Sequence, residues 1–426
     1  MSETKVMNRW FAVAGAVLMQ LALGAIYAWS VFTPSLIEAG WSKFQTQVVF
    51  SIGLVSFAIS MVWAGKKLAK WGPMKLSFLS ALVLGAGYAL AGLVGGTNFT
   101  ALCLFIGLIG GAGIGLGYVV PIAVGMRWFP DKKGFITGLA VAGFGFGAMA
   151  WVKLAGAWGN LIGTIGLSST FSLYGLLFCL MIAAGGFWMR FPPEGWAPEG
   201  YHPETNADAA SDAEEENFST AEMLKTPQFF LIFATFTFSA AAGLMSIGLM
   251  KLYPMEALQA SGHSVAEASA IAGTAMAVFF SLANGLGRII WGTLSDKLGR
   301  KRSILLMTAI QGATLLAFTS MAGNTFLLYV GATIIGFNFG GNFALFPTIT
   351  ADTFGTKSVG QNYPYIFLAY GAGGIGGPML GGVLGDMGNF PLAFTICGVC
   401  CFIGAAAIFM LKKPHRSLNA SPETTG

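Results

Sequence analysis

Arg288 stands in the apolar run from Ala268 to Ile290 and is the only charged residue in it. Asp296, the next charge along, marks the water-facing end of the helix that this run predicts. Eight residues at a helical rise put Arg288 about 12 Å deeper, within about 10 Å of the midplane of a bilayer. A guanidinium at that depth costs at least about 2.5 kcal/mol on insertion scales, so it is expected to face a cavity and meet an anion there. The structural alternative is an arginine held by backbone carbonyls. Its planar fork can make two parallel hydrogen bonds to a carboxylate, a geometry that lysine cannot match. The chemistry implied is recognition of a small organic anion.

Asn284 lies one turn earlier on the same face, where its amide can reach the same pocket or bond a neighbouring helix. Tyr27, Tyr118 and Tyr370 fall near mid-depth of three other apolar runs. Each offers a hydroxyl on an apolar ring, the usual way to orient a small ligand in a mostly apolar pocket. Phe144, Phe339 and Phe343 are expected as cavity walls, and for every one of these aromatics plain helix packing is the competing reading. The glycine-rich strings at 107–117, 143–147 and 371–377 are not phosphate loops, because no strand precedes them and no P-loop lysine follows. They predict close-packed, hinge-permissive helix segments. The five cysteines, Cys103, Cys179, Cys397, Cys400 and Cys401, all fall in apolar runs and read as small apolar residues. His202, His263 and His415 fall in predicted loops. No nucleophile, metal cluster or nucleotide loop emerges, so neither an enzyme nor a cofactor is expected.

These residues need a scaffold that can hold them inside a membrane. The chain of 426 residues is 55% hydrophobic and only 10% charged, too little charge to cover a soluble domain of this length. Apolar runs predict helices near 8–33, 45–64, 74–95, 100–126, 134–155 and 169–190, then near 227–250, 266–293, 302–321, 326–348, 359–385 and 391–411. The fold expected is therefore all-α, with twelve transmembrane helices in two six-helix halves, 1–190 and 227–426. Residues 191–226 form a linker rich in acids, read as cytoplasmic, with Ser219 and Glu222 at capping-box spacing. Nineteen of the 23 Lys and Arg fall in the termini and in loops on the side of the termini. Lys43, Lys153 and Lys251 fall on the other side. The bias predicts cytoplasmic N- and C-termini. The same one-sided placement shows that the net charge of +5 is not a nucleic-acid signal. Lys153, 22 residues after Asp131, is expected to reach the far interface and snorkel as an anchor.

The halves also look alike. The string Gly65 to Gly72 is echoed, at an offset of 227, by Gly292 to Arg302. Pro121 and Pro347 are 226 apart, and Phe129 and Phe354 are 225 apart. Duplicated six-helix halves predict rocking-type alternating access about a midplane site.

The run from Gly292 to Arg302, with Asp296, Lys297, Gly299 and Arg300 at set spacing, resembles the loop signature of the major facilitator superfamily. In that family the loop latches the cytoplasmic face shut. The first copy carries Ala69 where the acid belongs, which leaves Asp296 and Arg300 as the expected gate. A narrower resemblance covers nearly the whole chain. Asn8-Arg9-Trp10-Phe11, the string Arg127 to Gly134, the string Glu222 to Phe229 and Asn362-Tyr363 are similar to the bacterial oxalate/formate antiporter family, itself similar to animal monocarboxylate transporters. That resemblance implies a bacterial inner membrane, small carboxylate substrates and a binding arginine on the eighth helix, which falls on Arg288. Oxalate carriers of the family pair this arginine with a lysine on the eleventh helix, where Tyr370 stands here. Lys357, the only lysine near that helix, lies at its cytoplasmic start. In the animal relatives the position of Asn284 is an aspartate that carries a proton; an amide cannot.

One buried cation suits a monoanion, since a second carboxylate would be buried unpaired. The reading is a secondary transporter of small monocarboxylates such as lactate or pyruvate, working by alternating access in the lipid bilayer, with proton linkage expected. No Asp or Glu lies deep in a run, so the proton would travel on the substrate; exchange and facilitated diffusion stay open. The alternatives are oxalate/formate-type exchange and a membrane protein that senses a carboxylate without moving it. No obligate protein partner is expected.

Overall fold

Among the described residues, twelve stretches are both apolar and long enough to span a bilayer, and each closes its backbone hydrogen bonds internally as a helix, as lipid requires. The computed structural model describes residues 6–129, 133–156, 158–193, 196, 198, 218–355 and 359–412. The first six spans are α1 (Arg9–Val31), α2 (Lys43–Leu68), α3 (Pro73–Leu93), α4 (Phe99–Gly125), α5 (Gly138–Ala155) and α6 (Leu161–Gly186). The second six are α7 (Pro227–Leu249), α8 (Val265–Leu298), α9 (Arg300–Met321), α10 (Thr325–Phe354), α11 (Gln361–Asp386) and α12 (Phe390–Phe409). No strand occurs among the described residues. The protein is a polytopic membrane protein. Twelve spans return the chain to its starting side, called here the near side.

Several boundaries differ from those read off hydropathy: α2 runs on to Leu68 and α10 to Phe354, and two more carry a backbone feature. Helix α6 starts at Leu161, but Gly166 interrupts it at φ 78°, so its continuous part begins close to the apolar run. Helix α8 runs on through Leu298, and the charged string after Gly292 is helical rather than a loop. Only Gly299, at φ 85°, breaks the backbone before α9. Trp291 and Ser295 stay buried on that last stretch, so packing carries the helix past the point where hydropathy falls.

The duplication appears in the backbone as well as in the sequence. Gly72 and Gly299 take almost the same conformation, φ 81°, ψ 159° and φ 85°, ψ 146°. Each donates its N–H to the carbonyl four residues back, Leu68 or Ser295. Asn98 and Asn324 cap α4 and α10 alike, their side chains accepting from Ala101 and Leu327. Capping boxes open both α2 (Ser42, Gln45) and α8 (Ser264, Glu267). A third box, Ser219 with Glu222, opens the one-turn helix Thr220–Met223 ahead of α7, as its spacing predicts. The rest of the acidic linker lies largely outside the described residues.

The halves meet along two seams, α2 against α11 and α5 against α8. Leu82, Leu93, Leu176, Leu180, Val399 and Ile403 face outward, the apolar surface that lipid covers. The interior seams hold the polar groups.

Candidate functional site

Helix α8 does not run straight to Arg288. Residues Ala275–Phe280 form a π-helical turn, and Ser281 donates its hydroxyl to the Met276 carbonyl five residues back at 2.8 Å. One extra residue in a turn rotates the rest of the helix by about 100°. Asn284 and Arg288 are thereby set against α5 and α10. Two glycines let the backbones come close enough. A methyl group at Gly145 of α5 would lie 2.6 Å from Asn284 Oδ1, and one at Gly340 of α10 would overlap the Asn284 carbonyl.

Arg288 is fully buried, at 0% exposure. Its Nε and Nη2 donate to the single oxygen Asn284 Oδ1, at 3.3 and 3.1 Å. Its Nη1 donates across the seam to the Val141 carbonyl of α5 at 3.0 Å. The guanidinium carbon lies 4.0 Å from the Phe343 ring centre and 5.5 Å from that of Phe144. Among the described residues no carboxylate pairs with it. The Nε/Nη2 edge, which binds carboxylates bidentately, is satisfied by one neutral amide oxygen, a weaker acceptor. Asn284 Nδ2, on the other side of that amide, has no hydrogen-bond partner.

All eight residues expected to bind an anion converge here. The Tyr27 and Tyr370 hydroxyls meet at 3.1 Å and so join α1 to α11. Tyr27 packs on Phe144 and Phe339 with ring centres 5.0 and 5.6 Å apart. Tyr118 sits edge-on to Phe144 at 5.3 Å, and Phe343 edge-on to Tyr370 at 5.6 Å. Two members of the cluster were not singled out from the sequence. Phe367 stacks on Tyr370 at 4.9 Å and on Tyr118 at 5.8 Å. Phe57 of α2 touches Tyr118, Phe144, Phe367 and Tyr370. Phe367 carried a signal, since it precedes Tyr370 by three residues on one helix face. Phe57 lies in an apolar helix whose serines, Ser51, Ser56 and Ser60, do not mark one inward side, and Val141 contributes only a carbonyl, which any residue has. Tyr365 turns away from the cluster and lines a near-side cleft of about 290 Å³ with Lys66, Thr220 and Gln361.

The two residues expected to gate the protein pair with each other. Arg300 Nη2 meets Asp296 Oδ1 at 2.5 Å, its Nε meets Asp352 Oδ2 at 3.5 Å, and Nη1 bonds the Ser295 hydroxyl. These partners all belong to the second six helices, so the geometry is that of a brace within one half. Polar contacts between the halves cluster at the opposite end. Asp386, at the end of α11, accepts from the backbone N–H groups of Lys43 and Phe44 at 2.7 and 3.0 Å, capping α2. Lys43 Nζ reaches Glu256 at 2.6 Å, and Gln47 Nε2 donates to the Gly248 carbonyl at 3.3 Å. Lys153 departs from its expected role as a snorkelling anchor. It is only 8% exposed and donates to Thr274 Oγ1 of α8 at 3.1 Å, because α5 faces α8 rather than lipid there.

The sequence comparison identifies the family of this duplicated twelve-helix bundle. The family model described as Major Facilitator Superfamily matches residues 10–279 and 242–425. The chain belongs to the Major Facilitator Superfamily. It is 30% identical over 372 residues to the uncharacterized MFS-type transporter YhjX of Escherichia coli, covering 86% of each chain. It is 29% identical over 414 residues to the oxalate:formate antiporter of Oxalobacter formigenes, covering 96% of this chain and 93% of that one. The apicoplast pyruvate carrier 1 of Toxoplasma gondii is 23% identical over 503 residues, covering 96% and 90%. The expected resemblance to oxalate/formate antiporters and monocarboxylate carriers is thus present, within a superfamily of membrane transporters.

Proposed function

We propose that this Major Facilitator Superfamily transporter carries small monocarboxylates of the lactate and pyruvate type, linked to protons, by alternating access. The supporting observation is the unpaired, fully buried Arg288 in an aromatic cluster that holds no second cation among its members. A monocarboxylate would take the Nε/Nη2 edge from Asn284 Oδ1, trading a neutral acceptor for a charged one. Its apolar end would lie among Phe339, Phe343 and Phe144, and the Tyr27 and Tyr370 hydroxyls would open from each other to donate to it. A dicarboxylate would bury a second charge with no cation to meet it. Opening and closing of the two seams would then expose the site alternately. The near side is read as cytoplasmic, on the placement of Lys and Arg. With no carboxylate in the cluster, the proton would ride on the substrate.

A second reading, oxalate/formate-type exchange, is favoured by the extent of the likeness to the Oxalobacter antiporter. Uptake of radiolabelled L-lactate into proteoliposomes separates the two. The monocarboxylate reading expects uptake stimulated by an inward proton gradient and blocked by pyruvate but not by oxalate. Uptake that ignores the gradient, needs internal anion and is blocked by oxalate would replace it with exchange.

A further inference from the structure

Three lysines lie on the far side, and only one has a carboxylate. Lys43 pairs with Glu256. Lys153 and Lys251 appear in no ion pair among the described residues, although they are only 8% and 9% exposed. They come from different halves, Lys153 from α5 and Lys251 from the turn after α7. Both converge on one short stretch of α8. Lys251 Nζ bonds the Ser269 carbonyl and, at 2.7 Å, its hydroxyl. It also lies 3.3 Å from where a side chain on Gly273 would begin. Lys153 Nζ bonds the hydroxyl of the next residue, Thr274.

Two ammonium groups are therefore withdrawn from water side by side, held only by neutral oxygens. Burial and the nearby Lys153 charge push the Lys251 ammonium down to about 8. A buried cation pair of this kind is costly unless a counter-ion joins it. Each group also has neutral partners that it can exchange for an anion without leaving a buried acid behind. The Lys153–Thr274 bond crosses the seam, so the movement that opens the far side must break it and free that ammonium.

We propose that Lys153 and Lys251 form a second small-carboxylate site at the far-side mouth, the first cations an anionic substrate meets on its way to Arg288. The inference rests on the reading of Arg288 as a carboxylate site. Thr274 and Arg288 are fourteen residues apart on α8, about 21 Å along its axis, so the two sites are separate stations rather than two ends of one ligand. Two cations at a closing mouth would raise the local anion concentration and speed capture, an effect that salt weakens.

The test tracks the lysines themselves, in wild type and in Arg288→Ala. Purified protein in lipid nanodiscs is treated with an amine-acylating reagent, and labelling of Lys153 and Lys251 is quantified by peptide mass spectrometry. The added sodium salt is L-lactate, chloride or a bulky sulfonate at equal ionic strength, with exposed Lys75 as the internal control. The expected result is slower labelling of both lysines in L-lactate, about tenfold at ten times its Kd, with Lys75 unchanged. The protection should persist in Arg288→Ala, which separates this site from the central one. Equal labelling in all three salts, no labelling in any, or equal protection by chloride would overturn the proposal. Protection lost with Arg288→Ala would assign the effect to the central site and overturn it as well. In transport, Lys153→Gln with Lys251→Gln should raise KM for L-lactate several-fold at low ionic strength, leave the maximal rate unchanged, and be rescued by arginine at both positions. A salt-independent fall in the maximal rate would make the lysines structural.

Discussion

The fork of Arg288 faces two competing demands. In the closed cluster it must be satisfied, or its burial would be prohibitive; in the proposed binding step it would have to give up a partner without leaving another charge exposed to the interior. Asn284 meets both, because its carbonyl oxygen fills the bidentate edge as a neutral acceptor. An aspartate there would hold the arginine as an ion pair and compete with the substrate. Arg288→Lys keeps the charge and loses the planar edge, so initial L-lactate uptake should fall at least about tenfold, equivalent to about 1.4 kcal/mol of transition-state stabilisation. Wild-type uptake by this variant would remove the site model. Tyr370→Lys makes the converse change, adding a second cation beside Tyr27. It should turn unlabelled oxalate from a poor competitor of L-lactate into an effective one; unchanged competition would show that the cation count does not set the choice of acid.

Helices bring these residues together only because small features let them approach and turn. The π-helical turn before Ser281 sets the face that α8 presents, and Gly145 and Gly340 leave room beside Asn284. Gly145→Ala would press a methyl group onto the Asn284 amide and should destabilise the closed protein by roughly 1–3 kcal/mol, read as a lower melting temperature in lipid. It should also weaken L-lactate binding more than an alanine at the exposed, positive-φ turn glycine Gly40 does. How much of this was legible depends on the physics behind each signal. Length and apolarity located all twelve spans, because lipid leaves a chain little choice of structure. A charge in an apolar run located Arg288, and one turn of helix located Asn284. The π turn left no trace in hydropathy, since it shifts phase without changing composition. Phe57 was hidden because α2 is apolar on several faces. In the sequence Asp386 is one acid at the end of an apolar run, and only the packing of α11 against α2 makes it a cap for the other half.

For the whole molecule, the uneven placement of polar contacts between the halves sets which end is held shut. The far side carries the Asp386 cap, the Lys43–Glu256 pair and the Gln47 and Lys153 bonds, whereas the Asp296–Arg300–Asp352 brace stays inside one half. Asp386→Asn would remove the charge that caps α2 and one of its two accepting oxygens, shifting the balance toward far-side opening by roughly 0.5–2 kcal/mol. A cysteine at Ser51, buried in α2, should then react faster with a water-soluble thiol reagent added from the far side. Alkali should act in the opposite sense through Lys251. Its ammonium is lowered from 10.5 to about 8 in the sealed state, by burial first and by the Lys153 charge second. Below about 8 it is charged whether sealed or open, and the sealed state carries the full cost of burying it. As the pH rises from about 8 toward 10.5, the sealed form sheds its proton while the open form keeps it, so sealing gains stability across that window. Labelling at position 51, taken relative to a cysteine at exposed Gly40 to remove the rise in thiolate fraction, should therefore slow as the far-side pH rises through about 8, and Lys251→Met should abolish that dependence. If the slowing persisted in Lys251→Met, another group would be holding the far side, and the cap and ion pair around Lys43 would be the next to test.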